Sequence, residues 1–266
     1  MVEAIRKLAL GFQLVYMGML VIVLGVVVGL IGGFALPFAV NSGSIPIETM
    51  LQLMGILPVA MGACMLLGNL LGITGRYICT LTPEIAQKAR ADIRTSFALE
   101  MIAFILNMYS SLQPLIQVRL IDVGVLPPWS NLLFNLRWAV SLIGFIVGIS
   151  SILYFVMYMR DLAGFVGSDD LSMRSEKLRR SIVSMLQLSF VTGAIAVAML
   201  IVGLMANPDL EIGAMGCTLG LLFIVILVQG IFVFFRYVSI VVAMPAVLKA
   251  YDVPTDEQNG PGAIIA

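Results

Sequence analysis

Apolar residues run through this chain in six long blocks, with the polar and charged positions gathered into the short stretches between them. No residue between Lys7 and Glu48 is charged, and the apolar run inside that interval exceeds the roughly 20 residues that cross a hydrocarbon core. A cleaved leader would have an apolar centre of only about 7 to 15 residues, so this first block is expected to stay as a membrane helix. Blocks at about 8–36, 51–75, 95–118, 136–159, 181–206 and 212–235 predict an all-α, polytopic bundle of six spans. Residues 1–250 would form this transmembrane unit, and 251–266 a short polar cytoplasmic tail. After Arg236 the uncharged stretch is too short for another crossing, so it is expected to lie at the interface and break near Pro245. The competing register slides the sixth span toward the C-terminus and buries Arg236.

Charge placement orients the bundle. With the N-terminus inside, the cytoplasmic segments carry Arg6, Lys7, Arg76, Lys88, Arg90, Arg94, Arg160, Arg174, Lys177, Arg179, Arg180, Arg236 and Lys249, against Arg119 and Arg137 outside. Short loops rich in Lys and Arg stay in the cytoplasm, so both termini are expected there. The stretch 155–180 is the most charged, and five basic residues in it would hold the fourth and fifth helices at the membrane surface. Arg174, Lys177, Arg179 and Arg180 are candidate contacts for lipid headgroups.

Helix starts are legible as well. Thr82 before Pro83 reads as an N-cap, and Ser168, Asp169 or Asp170 can open the fifth helix. The phrases RYIC from Arg76, RDLA from Arg160 and RYVS from Arg236 close the even-numbered spans, and predict three pseudo-repeated hairpins. The positive-inside bias alone also produces such endings. Small residues spaced at four, namely Gly25, Gly29 and Gly33, then Gly68 and Gly72, Gly144 and Gly148, and Gly216 and Gly220, are expected to let helices approach closely.

Composition narrows the chemistry. The chain is 61% hydrophobic and 11% charged, where a soluble domain has about a quarter of its residues charged. Its 15 basic and 15 acidic residues cancel, leaving nothing to attract nucleic acid. Histidine is absent, which removes the commonest metal ligand and the side chain best suited to proton transfer near neutrality. Cys64, Cys79 and Cys217 lack the close pairing of a zinc or redox site and read as buried small apolar residues. No phosphate loop, nucleophile elbow or paired His motif is present, so neither catalytic residues nor a cofactor or metal is expected. The candidate polar site inside the membrane is Glu100 with Asn107 and Ser111 on the third helix. Arg76 or Arg94 would neutralise Glu100, and Asn107 with Ser111 is an i,i+4 pair on one face.

CTLTP at Cys79 to Pro83 and FVMYMRDLAGFVGSDDLSMR at Phe155 to Arg174 together resemble a group of uncharacterised bacterial multi-pass inner-membrane proteins. Those carry a Cys-x-x-x-Pro phrase after one span and Arg-x-Leu-Ala, then Asp-Leu, after a later one. The resemblance covers about 70–180 and implies a bacterial inner-membrane location, with no activity attached. The residues then point to a structural or scaffold subunit of a larger membrane assembly, in contact with lipids and with other subunits or copies of itself. Two rival readings are a small-solute or ion channel or transporter using the third-helix stripe, and a lipid-interacting enzyme or sensor.

Overall fold

The computed structural model describes residues 2–42, 46–83, 86–122, 130–206 and 212–251; side chains of 112–135 and 199–223, and at some other positions, are outside the described set. The described residues form six long helices and no strand: α1 (Val2–Asn41), α2 (Ile47–Cys79), α3 (Gln87–Asp122), α4 (Ser130–Phe165), α5 (Asp169–Ala206) and α6 (Ile212–Tyr251). Each helix packs on the next in sequence, and α6 returns to pack on α1, so the six close into a ring. Four segments, Glu3–Leu30, Glu48–Cys79, Ala139–Phe165 and Ile224–Tyr251, are long and apolar enough to cross a membrane. The starts of α3 and α5 are charged, and their apolar continuations lie partly outside the described side chains.

One of the two expected helix starts differs. Thr82 does not open α3. Its hydroxyl donates to the carbonyl of Cys79 at 2.6 Å, and so finishes α2. At the end of α4 the amide of Ser168 donates to Ala163 and that of Gly167 to Gly164. Gly167 has φ +79°, so a Schellman turn sits where a left-handed residue costs least when it is glycine. The Ser168 carbonyl then accepts the first bond of α5, placing Asp169 and Asp170 in its first turn, at the positive end of the dipole.

Packing is concentrated at the charged end. Leu8 and Phe12 of α1, Ile93 of α3, Phe155 and Tyr158 of α4, Leu178 of α5 and Val241 and Met244 of α6 form one buried cluster. Phe12 stacks on Tyr158 with ring centroids 5.9 Å apart, and Phe155 meets both rings and Tyr237. Toward the other end the helices show large apolar side chains outward; Phe38 is 77% and Phe190 80% exposed. Water would not tolerate such a surface over this extent, and lipid would. α6 continues through Pro245 without the expected break. The lost backbone bond is offset by burial of Ile240, Val241, Met244 and Leu248 after Arg236. Arg236 itself stays exposed and donates to Ser181 of α5 at 3.0 Å.

α1 and α2 share the closest seam, and its backbone-to-backbone contacts recur every seven residues. A Cβ on Gly18 would stand 2.5 Å from the Gly68 carbonyl oxygen, and one on Gly75 would stand 2.5 Å from that of Gly11. Gly25 faces Cys64 and Gly29 faces Met61, whereas Gly33 and Gly72 have nothing within 4 Å of an added Cβ. A four-residue step drifts by about 40° around a helix of 3.6 residues per turn, so Gly33 has rotated off the seam that Gly11, Gly18 and Gly25 follow. A seven-residue repeat stays on the seam of a left-handed pair. On the opposite side of the ring, Gly144 is buried against Leu106 and Asn107, and Gly148 faces Ala103, joining α4 to α3. The side-chain surroundings of Gly216, Gly220 and Cys217 lie outside the described residues.

The seam predicts unequal tolerance of alanine. Gly18→Ala is expected to cost about 1–3 kcal/mol through backbone overpacking, and Gly33→Ala to be neutral or slightly stabilising. Thermal melts of both variants in the same detergent check this; equal midpoints would contradict the seven-residue seam.

Candidate functional site

The polar groups drawn into the bundle meet at the upper edge of its packed core. Arg76, in the last turn of α2, is only 6% exposed. A guanidinium cannot be left without partners there, because a buried unpaired charge costs several kcal/mol. Glu100 of α3 forms an ion pair with it, and its Nη1 donates to Ser151 of α4 at 2.8 Å. The guanidinium also lies 5.1 Å from the centre of the Phe155 ring, a cation–π arrangement. Ser151 and Ser96 each donate to the other's backbone carbonyl at 2.9 Å. This reciprocal pair fastens α3 to α4 and leaves the Ser151 oxygen free to accept from Arg76. Of Arg76 and Arg94, the two expected partners of Glu100, Arg76 makes the ion pair, and it does so buried between helices.

Beside this network lies a half-open cavity of about 380 Å³. All six helices contribute to its wall, through Met19, Arg76, Glu100, Ile152, Met185 and Tyr237 among others. The wall is mostly apolar; Arg76, Glu100 and Tyr237 add polar atoms, and Asn69, about two turns before Arg76 on α2, adds another. Asn69 spends its amide on the Met65 carbonyl, one turn back at 2.7 Å. A groove between α2, α3 and α4 lies beside the cavity, and Asn69 and Glu100 line both.

Glu100, Asn107 and Ser111 all border that groove, and Asn107 and Ser111 are exposed rather than turned into the ring. Ser110, between them, is buried. The α3 stripe therefore faces the bundle's flank, with only Glu100 reaching the centre. Comparison of the chain with family models, curated proteins and solved structures returns no match.

The charged stretch at the end of α4 and the start of α5 is an interlocked cluster. Lys88 of α3 pairs with Asp161 at 3.2 Å, and Arg160 reaches Glu176 of α5 at 3.1 Å. Arg179 and Arg180 also turn onto Glu176, and Arg174 onto Asp170, while Lys177 is exposed. Three of the four basic residues expected at lipid headgroups thus have carboxylate partners within α5. The hydrogen bond from Arg179, then those from Arg180 and Arg160, hold the Glu176 carboxyl down to about 2 from its ordinary 4.5. Asp92 moves the other way: burial, then the neighbouring Asp161 charge, raises it. The phrase-closing arginines consequently sit in three different surroundings: Arg76 in the core, Arg160 half-buried between two acids, and Arg236 at the surface.

Ser96, Ser151, Phe155 and Tyr237 escaped the sequence reading. The visible signal was a hydroxyl pair, Ser150 and Ser151, inside an apolar span; nothing local says that the second of these faces Arg76.

Two predictions follow from this geometry. Glu100→Gln is expected to destabilise the bundle by about 3–5 kcal/mol by leaving the Arg76 charge uncompensated, and Glu100→Leu with Arg76→Met to recover most of that. A double-mutant cycle of detergent melts measures it, and additive effects would argue against the pair. Glu176 has a depressed folded value, so its contribution is complete above about pH 4.5 and is lost as pH falls through about 2. The wild-type midpoint should fall faster than that of Glu176→Gln below about pH 4.5, which parallel melts would show.

Proposed function

We propose that this chain is a six-span membrane protein with its packed, charged end and both termini in the cytoplasm, serving as a structural subunit of a larger membrane assembly. The observation that carries this reading is the use made of the intramembrane polar groups. Arg76, Glu100, Ser96 and Ser151 are joined to one another across α2, α3 and α4, which is what interhelical polar contacts in lipid do when they hold a bundle together. No group of three or more metal-binding side chains occurs among the described residues. The positive-inside distribution supports the orientation, and the resemblance of residues 70–180 supports a bacterial inner membrane. The widely exposed apolar surface away from the core gives lipids and neighbouring subunits the area on which to pack.

The channel reading has one specific observation in its favour: Glu100, Asn107 and Ser111 share a groove. It has the apolar central cavity against it, because an ion stripped of water there finds almost no ligands.

Native mass spectrometry of the protein extracted from its own membrane in mild detergent is expected to show a stoichiometric complex with other polypeptides. A bare monomer would overturn the subunit reading. Reconstituted vesicles are expected to show no solute flux above empty vesicles; flux abolished by Asn107→Leu with Glu100→Leu would establish the channel instead.

A further inference from the structure

We propose that the open groove between α5 and α6 binds the headgroup of one anionic glycerophospholipid, with its phosphate between Arg180 and Arg236. This rests on the membrane-embedded bundle of the preceding reading and needs no partner subunit.

The depth of the groove follows from where the charges stop. No residue from Ser181 to the end of α5 at Ala206 is charged, and none from the start of α6 at Ile212 to Phe235. Arg180 and Arg236 are therefore the charges at which two adjacent apolar runs end. The Nη1 of Arg236 donates to the hydroxyl of Ser181, the residue next to Arg180, at 3.0 Å. That bond sets the two guanidiniums at one level. Each run is long enough to cross the hydrocarbon core, so its charged end lies at the headgroup boundary.

Charge and access select the occupant. Both arginines are exposed, and so are Phe232 and Phe235 beside Arg236, which makes this flank a lipid-facing one. A guanidinium there is unfavourable unless it reaches an anion or the interface. Among the described residues Arg236 has no carboxylate partner, and Arg180 gives only its Nε to Glu176 at 3.1 Å. No carboxylate lines the groove. A phosphodiester thus meets two cations and no acid, and the arginine fork fits its paired oxygens. A cationic head would meet two like charges. Of the four basic residues on α5 expected at headgroups, Arg180 is the one that lines this groove, and Arg236 joins it from the neighbouring helix.

The remaining groups are ordered by depth. α5 runs into the membrane from Arg180 and α6 runs out of it to Arg236. Ser184 therefore lies about 6 Å deeper than Arg180, and Gln229 about 10 Å deeper than Arg236. Met185, Phe232 and Val233 line the groove alongside them. Charge, then hydroxyl and amide, with apolar surface beside them, is the order of phosphate, glycerol esters and acyl chains in a glycerophospholipid. The groove holds about 600 Å³, within the range of about 300–1,000 Å³ for small-molecule sites. That admits a headgroup and its glycerol, and the chains leave along the exposed flank.

The test is native mass spectrometry of the full-length protein in detergent with phosphatidylglycerol and phosphatidylcholine at equal concentration. Wild type is expected to retain one phosphatidylglycerol per chain at least about fivefold over phosphatidylcholine. Arg180→Gln and Arg236→Gln are each expected to lower that retention about fivefold. Arg174→Gln, the same charge change outside the groove, is expected to leave it as in wild type. Both groove positions are exposed, so melting midpoints in lipid-free detergent are expected to stay near the wild-type value. Should either variant misfold, the wild-type comparison decides alone: equal retention of the two lipids would overturn the proposal. An equal loss from Arg174→Gln would overturn it too, by showing a response to overall charge. Displacement of the lipid by millimolar inorganic phosphate would assign the groove to a free anion instead, and loss of a bound polypeptide from the groove variants would assign it to a protein. A bare monomer that still carries one phosphatidylglycerol would overturn the subunit reading and leave this one standing.

Discussion

The whole arrangement turns on where a single guanidinium is allowed to be. Arg76 is carried by α2 to a depth at which water cannot solvate it, and Glu100, Ser151 and the face of Phe155 do so instead. Those partners come from α3 and α4, so neutralising one charge dictates the relative depth and rotation of three helices. A shift of α3 by one residue would turn Glu100 about 100° away and leave the charge bare. Few apolar contacts impose so steep a penalty for a small error in register.

Around that point the ring uses two other kinds of contact. On one side, α1 and α2 approach until backbone meets backbone, with carbonyls of Gly11 and Gly68 occupying the space that a side chain would need on Gly75 and Gly18. In lipid, where apolar side chains gain little by leaving the solvent, dispersion between close backbones is the available attraction. At the charged end, ion pairs and aromatic stacking tie α3, α4 and α5, and α6 packs back onto α1. Charge and close packing are thus kept at one end of the helices, and apolar surface at the other.

That division bears on function. A bundle whose central charges, Arg76 and Glu100, are spent on each other and on Ser151 has little left there with which to do chemistry, which is why a structural role suits it.

Hydropathy alone decided that these helices exist and that the charges gather at one end, because long uncharged runs have no other low-energy form in lipid. It also exposed Glu100 as a carboxylate in need of a partner. The sequence could not decide that Arg76 is core while Arg236 is surface, although both end apolar runs with nearly the same phrase. It pointed to glycines spaced at four; Gly25 with Gly29 and Gly144 with Gly148 do face a neighbouring helix, Gly33 and Gly72 do not, and a seven-residue repeat runs through Gly11, Gly18 and Gly25. It placed a break at Pro245, where burial of Val241, Met244 and Leu248 holds the helix together. In each case the missing information is rotational: which side of a helix faces a neighbour depends on contacts between residues about 24 to 75 positions apart, as between Arg76 and Glu100 or Ser151, and only the closed ring contains them.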